Sequence, residues 1–154
     1  RQKRHDRLFG AFARAAYDGR LVIIGTGTGE QIISVAETAR ARSVFDRLDL
    51  VGFRQNPYPY LKHARALVLS SDFEGFGNVI VESLICGTPV ASTRCPHGPE
   101  EILTGDLADG LSDLNEESLA GAIDRVVSSP PAILDEHLEP FRVQTIAKRY
   151  LALA

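Results

Sequence analysis

Apolar residues along this chain form short unbroken runs that alternate with longer segments of helical spacing. Such runs are typical of strands that are buried on both faces, as in parallel sheets. Several of them end at a glycine or a serine, where a strand would turn towards the next helix. The runs predicted as strands are residues 20–25, 48–52, 66–70 and 89–92, with residues 109–111 as a last, shorter candidate.

Between these runs, apolar residues recur every three or four positions, which predicts helices. The tripeptide Gly87-Thr88-Pro89 ends one such segment in the order expected at a helix terminus. In the segment 28–42, the residues predicted to face the core are Ile32, Ile33, Val35, Ala36 and Ala39. The predicted helices are residues 3–17, 28–42, 57–63, 78–86, 99–103, 114–128 and 140–153.

The alternation of strands and helices predicts an α/β fold, with an open, mostly parallel sheet and helices on both faces. No repeat, linker or low-complexity stretch interrupts the pattern, so residues 1–154 are predicted to form one domain. No strand is predicted before the first helix. We therefore expect that the chain begins inside a longer protein.

Composition narrows the class of protein. Hydrophobic residues make up 44% of the chain and charged residues 24%, which is ordinary for a soluble domain. The net charge of −3 argues against nucleic acid as a partner. Cys86 and Cys95 form no Cys-x-x-Cys pair, so we expect reduced thiols and a cytoplasmic protein. No apolar run is long enough to cross a membrane, and no signal peptide is recognisable.

Candidate chemistry lies where strands end, because open α/β sheets bind ligands at the carboxyl ends of their strands. The segments 25–27, 52–54 and 70–78 would share that edge. Gly25-Thr26-Gly27 resembles part of a dinucleotide fingerprint, but Glu30 stands where the third glycine belongs. Two interpretations remain for this segment: a tight turn, or a turn that also borders a nucleotide.

Two carboxylates eight residues apart, Glu74 and Glu82, bracket the predicted start of a helix. Glu82 would lie about 6 Å along the helix from Asn78. The free N–H groups and the dipole at a helix start suit a diphosphate, and carboxylates beside it would bind hydroxyls. We therefore predict a nucleotide-sugar site, with Gly75 and Gly77 allowing close approach of the ligand. The alternative is that both carboxylates are merely exposed to solvent.

Residues 70–103 resemble the donor-binding half of the retaining glycosyltransferases of family 4, the group 1 transferases. The resemblance rests on Glu74-Gly75-Phe76-Gly77-Asn78, Glu82-Ser83-Leu84, Gly87-Thr88-Pro89-Val90 and the segment 95–103, and the two glutamates match the E-x7-E motif of that family. It extends upstream to residues 3–8 and downstream to Leu119-Ala120. It implies a Rossmann-like C-terminal half of a two-domain GT-B enzyme, whose first strand and N-terminal acceptor domain lie outside this chain.

The resemblance also implies roles for individual residues. Glu74 would contact hydroxyls of the donor sugar near the reacting carbon, and Glu82 would accept hydrogen bonds from the ribose. Lys3 would neutralise the departing diphosphate, unless it is only a solvated charge. Arg4 and Arg7 are predicted to form a solvated helix face, and His97 an exposed loop histidine. The remaining donor-binding residues implied are Phe76, Gly77, Asn78 and Val79 through main-chain N–H groups, and Gly25, Phe53 and Arg54 near the base.

The function implied is transfer of a hexose from a UDP- or GDP-sugar to a glycan or lipid-linked acceptor, in the synthesis of surface polysaccharide or glycoconjugate. The resemblance implies no metal cofactor. The partners expected are the donor, the acceptor and the protein's own N-terminal domain, which could hold the protein at the inner face of the membrane. Isolated, the chain should bind donor weakly and transfer nothing.

Two other classes of protein are weighed against this one. A nucleotide-sugar epimerase on the same scaffold would convert a UDP-sugar without an acceptor, and a phosphorylase would carry a lysine for pyridoxal phosphate. A flavodoxin-like or receiver domain would need acidic residues clustered at the strand ends for magnesium. Asp72 lacks partners for a metal site, and the strand ends carry glycine and serine instead.

Overall fold

The strands of the computed structural model, which describes residues 2–151 with the side chains of Arg149 and Tyr150 excepted, are all parallel to their neighbours. They form two groups: β1 pairs with β2, and β4 lies between β3 and β5. The prediction of a parallel sheet is confirmed, although the hydrogen-bonded ladder is interrupted between β1 and β3. The strands are β1 (Leu21–Ile24), β2 (Leu48–Gly52), β3 (Leu67–Leu69), β4 (Val90–Thr93) and β5 (Leu111–Ser112).

The helices follow the predicted segments closely except at the carboxyl end. The predicted helix 140–153 is a 3₁₀ turn, Glu139–Phe141, followed by a separate helix, because Arg142 between them is extended. Its last two predicted positions lie outside the described residues. The helices are α1 (His5–Arg14), α2 (Gly29–Ala41), α3 (Tyr58–His63), α4 (Asn78–Ile85), α5 (Pro99–Ile102), α6 (Glu116–Ser128), α7 (Asp135–Leu138) and α8 (Val143–Leu151). The short helix α7 was not predicted.

Helices cover both faces of the β3–β4–β5 group, as predicted. On one face α1 and α6 pack against β4, where Ala11, Ala91 and Leu119 are buried together. On the other face α4 and α5 pack against the strands, with Ile80 and Leu84 of α4 almost fully buried. A third cluster joins α1 to the other strand group. It comprises Leu8, Phe9, Phe12, Ala39 and Val44, with Leu21 and Ile23 of β1 packed against it.

The β1–β2 group is less buried than its sequence predicts. Ile32 and Ile33 of α2 are 50% and 59% exposed, although they were predicted to face the core. In α2 only Ala39 is buried, and the helix packs on α1. Val22 of β1 is 43% exposed, in contrast to the fully buried β4. The prediction that the run at residues 20–25 is a strand buried on both faces is therefore wrong for Val22 of β1.

Candidate functional site

The site begins where the chain leaves β3 and turns into α4. Ser70 and Ser71 are buried, and the Glu74 carboxylate beyond them is 9% exposed. The Glu74 N–H donates to the Pro96 carbonyl over 3.3 Å, which ties this loop to the one that follows β4. Gly77, the residue before α4, has φ of +83°, a left-handed conformation that favours glycine. The loop therefore presents a buried carboxylate just before the start of a helix.

Lys3 and Glu74 form an ion pair although 71 residues separate them in sequence. The Lys3 Nζ lies 2.9 Å and 3.2 Å from the two carboxylate oxygens of Glu74. The Ser71 hydroxyl donates to the same carboxylate. The lysine is 58% exposed, so its ammonium also faces solvent. The structure thus brings together the two residues that the resemblance implicates in catalysis.

Lys3 is held in place by contacts between the start of α1 and the end of β3. The Ser70 hydroxyl donates to the Lys3 carbonyl over 2.7 Å. The Asp72 N–H donates to the Gln2 carbonyl over 3.0 Å, and the Gln2 side chain donates to the Phe73 carbonyl. These contacts fix the backbone of Lys3 against the loop that carries Glu74.

The prediction that Arg7 belongs to a solvated helix face is wrong, because Arg7 is buried. It is 5% exposed and donates to the Ser70 carbonyl over 2.8 Å and to Asp72 over 2.7 Å. The bond from Arg7, supported by Arg4, holds the pKa of Asp72 below its usual value. The bond from Arg4 lowers the pKa of Asp6 to about 2. Arg4 and Arg7 therefore anchor α1 to the loop after β3.

The start of α4 offers backbone N–H groups beside this carboxylate. The Ile80 N–H donates to the Gly77 carbonyl over 2.8 Å, whereas the first N–H groups of a helix have no partner inside it. Phe76, Gly77, Asn78 and Val79 lie at this start, where the resemblance places them. The loop between β4 and α5, residues 94–98, is called the rim loop here. It lies close to the start of α4, since a Cβ atom on Gly98 would lie 2.0 Å from the Phe76 carbonyl oxygen.

Glu82 lies on the first turns of α4, half-buried, and lines a cavity of about 250 Å³. Asn78 and Phe76 share this cavity with two residues from the carboxyl-terminal segment, Phe141 and Ile146. The Phe141 ring packs edge-on against Phe76 at 5.8 Å between centroids. Sequence reasoning missed Phe141 and Ile146 as neighbours of the site, because nothing in their helical spacing indicates what they face.

The remaining predicted residues lie at the carboxyl ends of the other strand group. The Gly25 N–H donates to the Gly52 carbonyl over 3.1 Å and joins the ends of β1 and β2. Phe53 is 66% exposed, and Arg54 donates to the Tyr60 hydroxyl and to the Phe53 carbonyl. Within residues 2–151, no hydrogen bond or ion pair joins Gly25, Phe53 or Arg54 to either glutamate.

The loop after β4 also carries His97 and Cys95. His97 is exposed, as predicted, with φ of +65°. Cys95 and Cys86 are both free thiols. Burial and then the charge of Glu74 raise the pKa of the Cys95 thiol, so it is held in its neutral form.

Among the described side chains, no group of three or more His, Cys, Asp or Glu residues could hold a metal ion. In that part of the chain, no helix is both long and apolar enough to span a bilayer.

A family model described as "Glycosyl transferases group 1" matches residues 1–129. The chain belongs to this family. The match confirms the resemblance read from the Glu74 and Glu82 segment and from the residues around it.

The curated relatives of this chain include bacterial glycosyltransferases. The N-acetylgalactosamine-N,N'-diacetylbacillosaminyl-diphospho-undecaprenol 4-alpha-N-acetylgalactosaminyltransferase of Campylobacter jejuni is 32% identical over 117 residues, which are 75% of this chain and 31% of that protein. The lipopolysaccharide 1,6-galactosyltransferase of Escherichia coli is 29% identical over 149 residues, covering 88% and 41%. The chain thus spans about a third to two fifths of the length of these relatives.

Solved structures that contain this fold are longer GT-B enzymes, and this chain matches slightly less than half of each. The apo form of the lipopolysaccharide outer core galactosyltransferase WaaB superposes with a TM-score of 0.84 at 25% identity, covering 97% of this chain and 44% of that one. Anabaena HepE in complex with UDP and glucose superposes with a TM-score of 0.84 at 21% identity, covering 99% and 44%. The predicted fold class is confirmed.

Proposed function

We propose that this chain is the donor-binding domain of a retaining glycosyltransferase that uses a nucleoside-diphosphate sugar. The observation that carries the proposal is the pairing of Lys3 with Glu74 beside the start of α4. That arrangement supplies a cation and helix N–H groups for a diphosphate, and an oriented carboxylate for sugar hydroxyls. Membership of the group 1 glycosyl transferases supports the assignment.

The charges are arranged for departure of a diphosphate. In the proposed reaction the bond between the anomeric carbon and the diphosphate oxygen breaks, and its electron pair stays on the diphosphate. The oxygen of an acceptor hydroxyl then bonds to the same face of that carbon, and the hydroxyl proton is released. Lys3 and the start of α4 would stabilise the charge that develops on the diphosphate, the kind of interaction that often contributes most to catalysis.

Glu74 would orient the sugar rather than attack it. Its carboxylate already accepts hydrogen bonds from Lys3 and Ser71, which fix its position. When a diphosphate binds, it would compete for Lys3, leaving one Glu74 oxygen available to sugar hydroxyls. The negative charge of Glu74 would also favour the positive charge that develops on the sugar ring.

The ribose and base would lie on either side of the start of α4. Glu82 and Asn78 border a cavity of about 250 Å³, and we assign Glu82 to the ribose hydroxyls. Gly25 follows β1, and Phe53 and Arg54 follow β2. They lie at the carboxyl ends of these strands, the edge at which open α/β sheets bind ligands, and we assign them to the base. We propose that these three residues form the outer boundary of the nucleotide site.

The donor proposed is a UDP- or GDP-hexose, and the acceptor a glycan or a lipid-linked glycan. Anabaena HepE, which shares the fold, was crystallised with UDP and glucose. The named relatives act on lipopolysaccharide or on an undecaprenol-linked sugar. We propose that an N-terminal domain outside these residues supplies the acceptor site, and that no metal ion takes part. The reported relatives are transferases and lend no support to an epimerase.

Calorimetric titration of the 154-residue chain with UDP and GDP tests the binding half of this proposal. We expect Lys3→Ala to weaken binding about tenfold or more, because a charge-assisted hydrogen bond contributes about 1.5–3 kcal/mol. Glu82→Gln should weaken it similarly. Lys62→Ala and Glu117→Gln, which change exposed residues on α3 and α6, are the matched controls and should bind as the parent chain does. If neither UDP nor GDP binds at millimolar concentration, the proposal is contradicted.

Product analysis of the full-length protein with labelled UDP- and GDP-sugars tests the transfer step. A transferase leaves labelled sugar on the acceptor and needs that acceptor for turnover. Conversion of the donor to a different nucleotide sugar without an acceptor would identify an epimerase instead.

A further inference from the structure

The carboxyl-terminal segment, residues 133–148, follows α6 and packs on α4. Helix α7 of this segment makes direct contacts with α4. Three apolar residues of the segment pack against the buried cluster that includes Ile80 of α4: Ile133, Leu138 and Phe141. The segment therefore lies against the same helix whose start belongs to the candidate site.

A carboxylate fixes the 3₁₀ turn of this segment relative to α8. The Glu139 side chain accepts a hydrogen bond from the Thr145 hydroxyl over 2.6 Å and pairs with Arg142 over 3.0 Å. Since Thr145 lies in the first turn of α8, these bonds set the direction of that helix as it leaves the turn. Phe141 in the turn and Ile146 in the helix line one cavity together.

That cavity, the one of about 250 Å³ beside α4, has apolar walls and one polar edge. Its apolar walls are Phe76, Val81, Phe141 and Ile146. The polar edge consists of Asn78 and the half-buried Glu82. Among the side chains that the structure describes, none forms a hydrogen bond or an ion pair with the Glu82 carboxylate. A partly buried carboxylate of this kind favours a ligand that donates hydrogen bonds to it.

The Phe141 ring also touches the loop that carries Glu74. It meets the Phe76 ring edge-on, with 5.8 Å between the centroids and 64° between the planes, a geometry that aromatic pairs prefer. The rim loop lies against the main chain of Phe76 at Gly98, so Phe76 is held at its main chain and at its ring. Phe141 is therefore placed to act on the start of α4 and on the cavity together.

We propose that Phe141 and Ile146 form the apolar wall of a ribose pocket and make the site select ribonucleotides over 2′-deoxyribonucleotides. The inference rests on the proposed function, in which Glu82 binds the ribose hydroxyls. The wall covers the carbon-bound hydrogens of the ribose and keeps water from the Glu82 carboxylate, so a missing hydroxyl leaves that carboxylate without a partner. A buried acceptor that loses its partner costs more free energy than one that water can reach.

Leu138 separates this role of Phe141 from ordinary support of the fold. Both residues belong to the same segment and pack against the same buried cluster, but of these two described residues only Phe141 lines the cavity. Leu138→Ala and Phe141→Ala should therefore lower the free energy of unfolding by similar amounts in urea, because each removes apolar contacts from that cluster. Only Phe141→Ala should change the preference for the ribonucleotide.

Calorimetry of the full-length protein with UDP and GDP, each compared with its 2′-deoxy analogue, tests the inference. The parent protein should bind the ribonucleotide at least about tenfold more tightly than the deoxy form, as expected for a lost hydrogen bond to a charged group. In Phe141→Ala this ratio of affinities should fall at least about threefold, because water then reaches Glu82. Phe141→Leu, which keeps an apolar wall, should retain the ratio of the parent. Only folded protein binds, so partial unfolding changes both affinities by the same factor and cancels in the ratio.

Ile146→Ala tests the same wall if Phe141→Ala does not fold, because Ile146 is 40% exposed and contributes less to the core. It should lower the ratio as well. A ratio that is unchanged in both alanine variants of the wall, or that falls equally in Leu138→Ala, would overturn the inference and leave the proposed function intact. Equal affinity of the parent protein for the two forms would do the same. If the parent binds neither UDP nor GDP, the proposed function is wrong and the inference is overturned with it.

Discussion

Gly98 offers the sharpest test of how the rim loop shapes the candidate site. Its backbone has φ of +89° and ψ of −68°, a conformation that residues with a side chain rarely adopt. A Cβ atom added there would lie 2.0 Å from the Phe76 carbonyl oxygen and 3.3 Å from the Gly77 nitrogen. The substitution Gly98→Ala must therefore move either the rim loop or the start of α4, where the proposed diphosphate binds.

The expected size of the effect follows from two contributions. The backbone conformation alone costs a residue with a Cβ about 1–3 kcal/mol. The clash with a backbone carbonyl, which no flexible side chain can relieve, adds the cost of overpacking, about 1–3 kcal/mol. We therefore expect Gly98→Ala to lower the free energy of unfolding by about 2–6 kcal/mol.

Gly87→Ala provides a matched control. Gly87 also has a positive φ, +78°, but nothing lies within 4 Å of a Cβ atom built on it. This variant has the strained backbone conformation but no clash, so its free energy of unfolding should fall by only about 1–3 kcal/mol. Since Gly87 ends α4 at the opposite terminus from the site, its substitution should leave UDP affinity unchanged.

Urea unfolding measures the stability of both variants, and calorimetry measures their affinity for UDP. Gly98→Ala should be the less stable variant and should bind UDP at least about tenfold more weakly, which corresponds to about 1.4 kcal/mol. If the two variants lose the same stability and bind UDP equally well, contact between the rim loop and Phe76 does not shape the site.

Three further predictions concern the frame around the site. Ile80→Ala removes a fully buried side chain under the start of α4 and should cost about 2–5 kcal/mol in urea unfolding, where a loss below 1 kcal/mol would contradict the packing described. Arg7→Ala removes the bonds to Ser70 and Asp72 and should cost about 2 kcal/mol in the same assay, a value reduced by the partial exposure of Asp72; an unchanged midpoint would show that α1 is anchored otherwise. Burial lowers the pKa of His5 below its usual value of 6.5, so the unfolded chain takes up the proton first, and this contribution to stability is complete above pH 6.5 and lost as the pH falls below it. His5→Gln should therefore reduce the loss of stability between pH 7.5 and 5.5, and equal losses in both proteins would contradict this.

Elements with a strong local signal were predicted well. The strand at residues 48–52 has the predicted bounds, and the helix that begins at Asn78 ends within one residue of its predicted end, before Gly87. Thr28 precedes α2 because its hydroxyl and the Gln31 side chain form a reciprocal pair of hydrogen bonds with the backbone. In these places, apolar spacing and the helix-ending residues agree, and both can be read locally.

Exposure and long-range pairing could not be predicted from local pattern. Ile32 and Ile33 have the spacing of a buried face, but what covers a helix depends on the strands beneath it. Arg7 has a polar neighbourhood in sequence, yet it is buried because the loop after β3, more than 60 residues away, supplies its acceptors. A single sequence carries no signal for such contacts.

In the candidate site, too, local features were predicted and long-range contacts were not. The spacing of Glu74 and Glu82 and the glycines between them indicated the loop and the helix start, since all of these lie in one stretch of chain. The contact between Lys3 and Glu74 was not predicted from spacing, because it depends on where α1 begins relative to β3. The roles of both residues in donor binding stay predictions until nucleotide titration tests them.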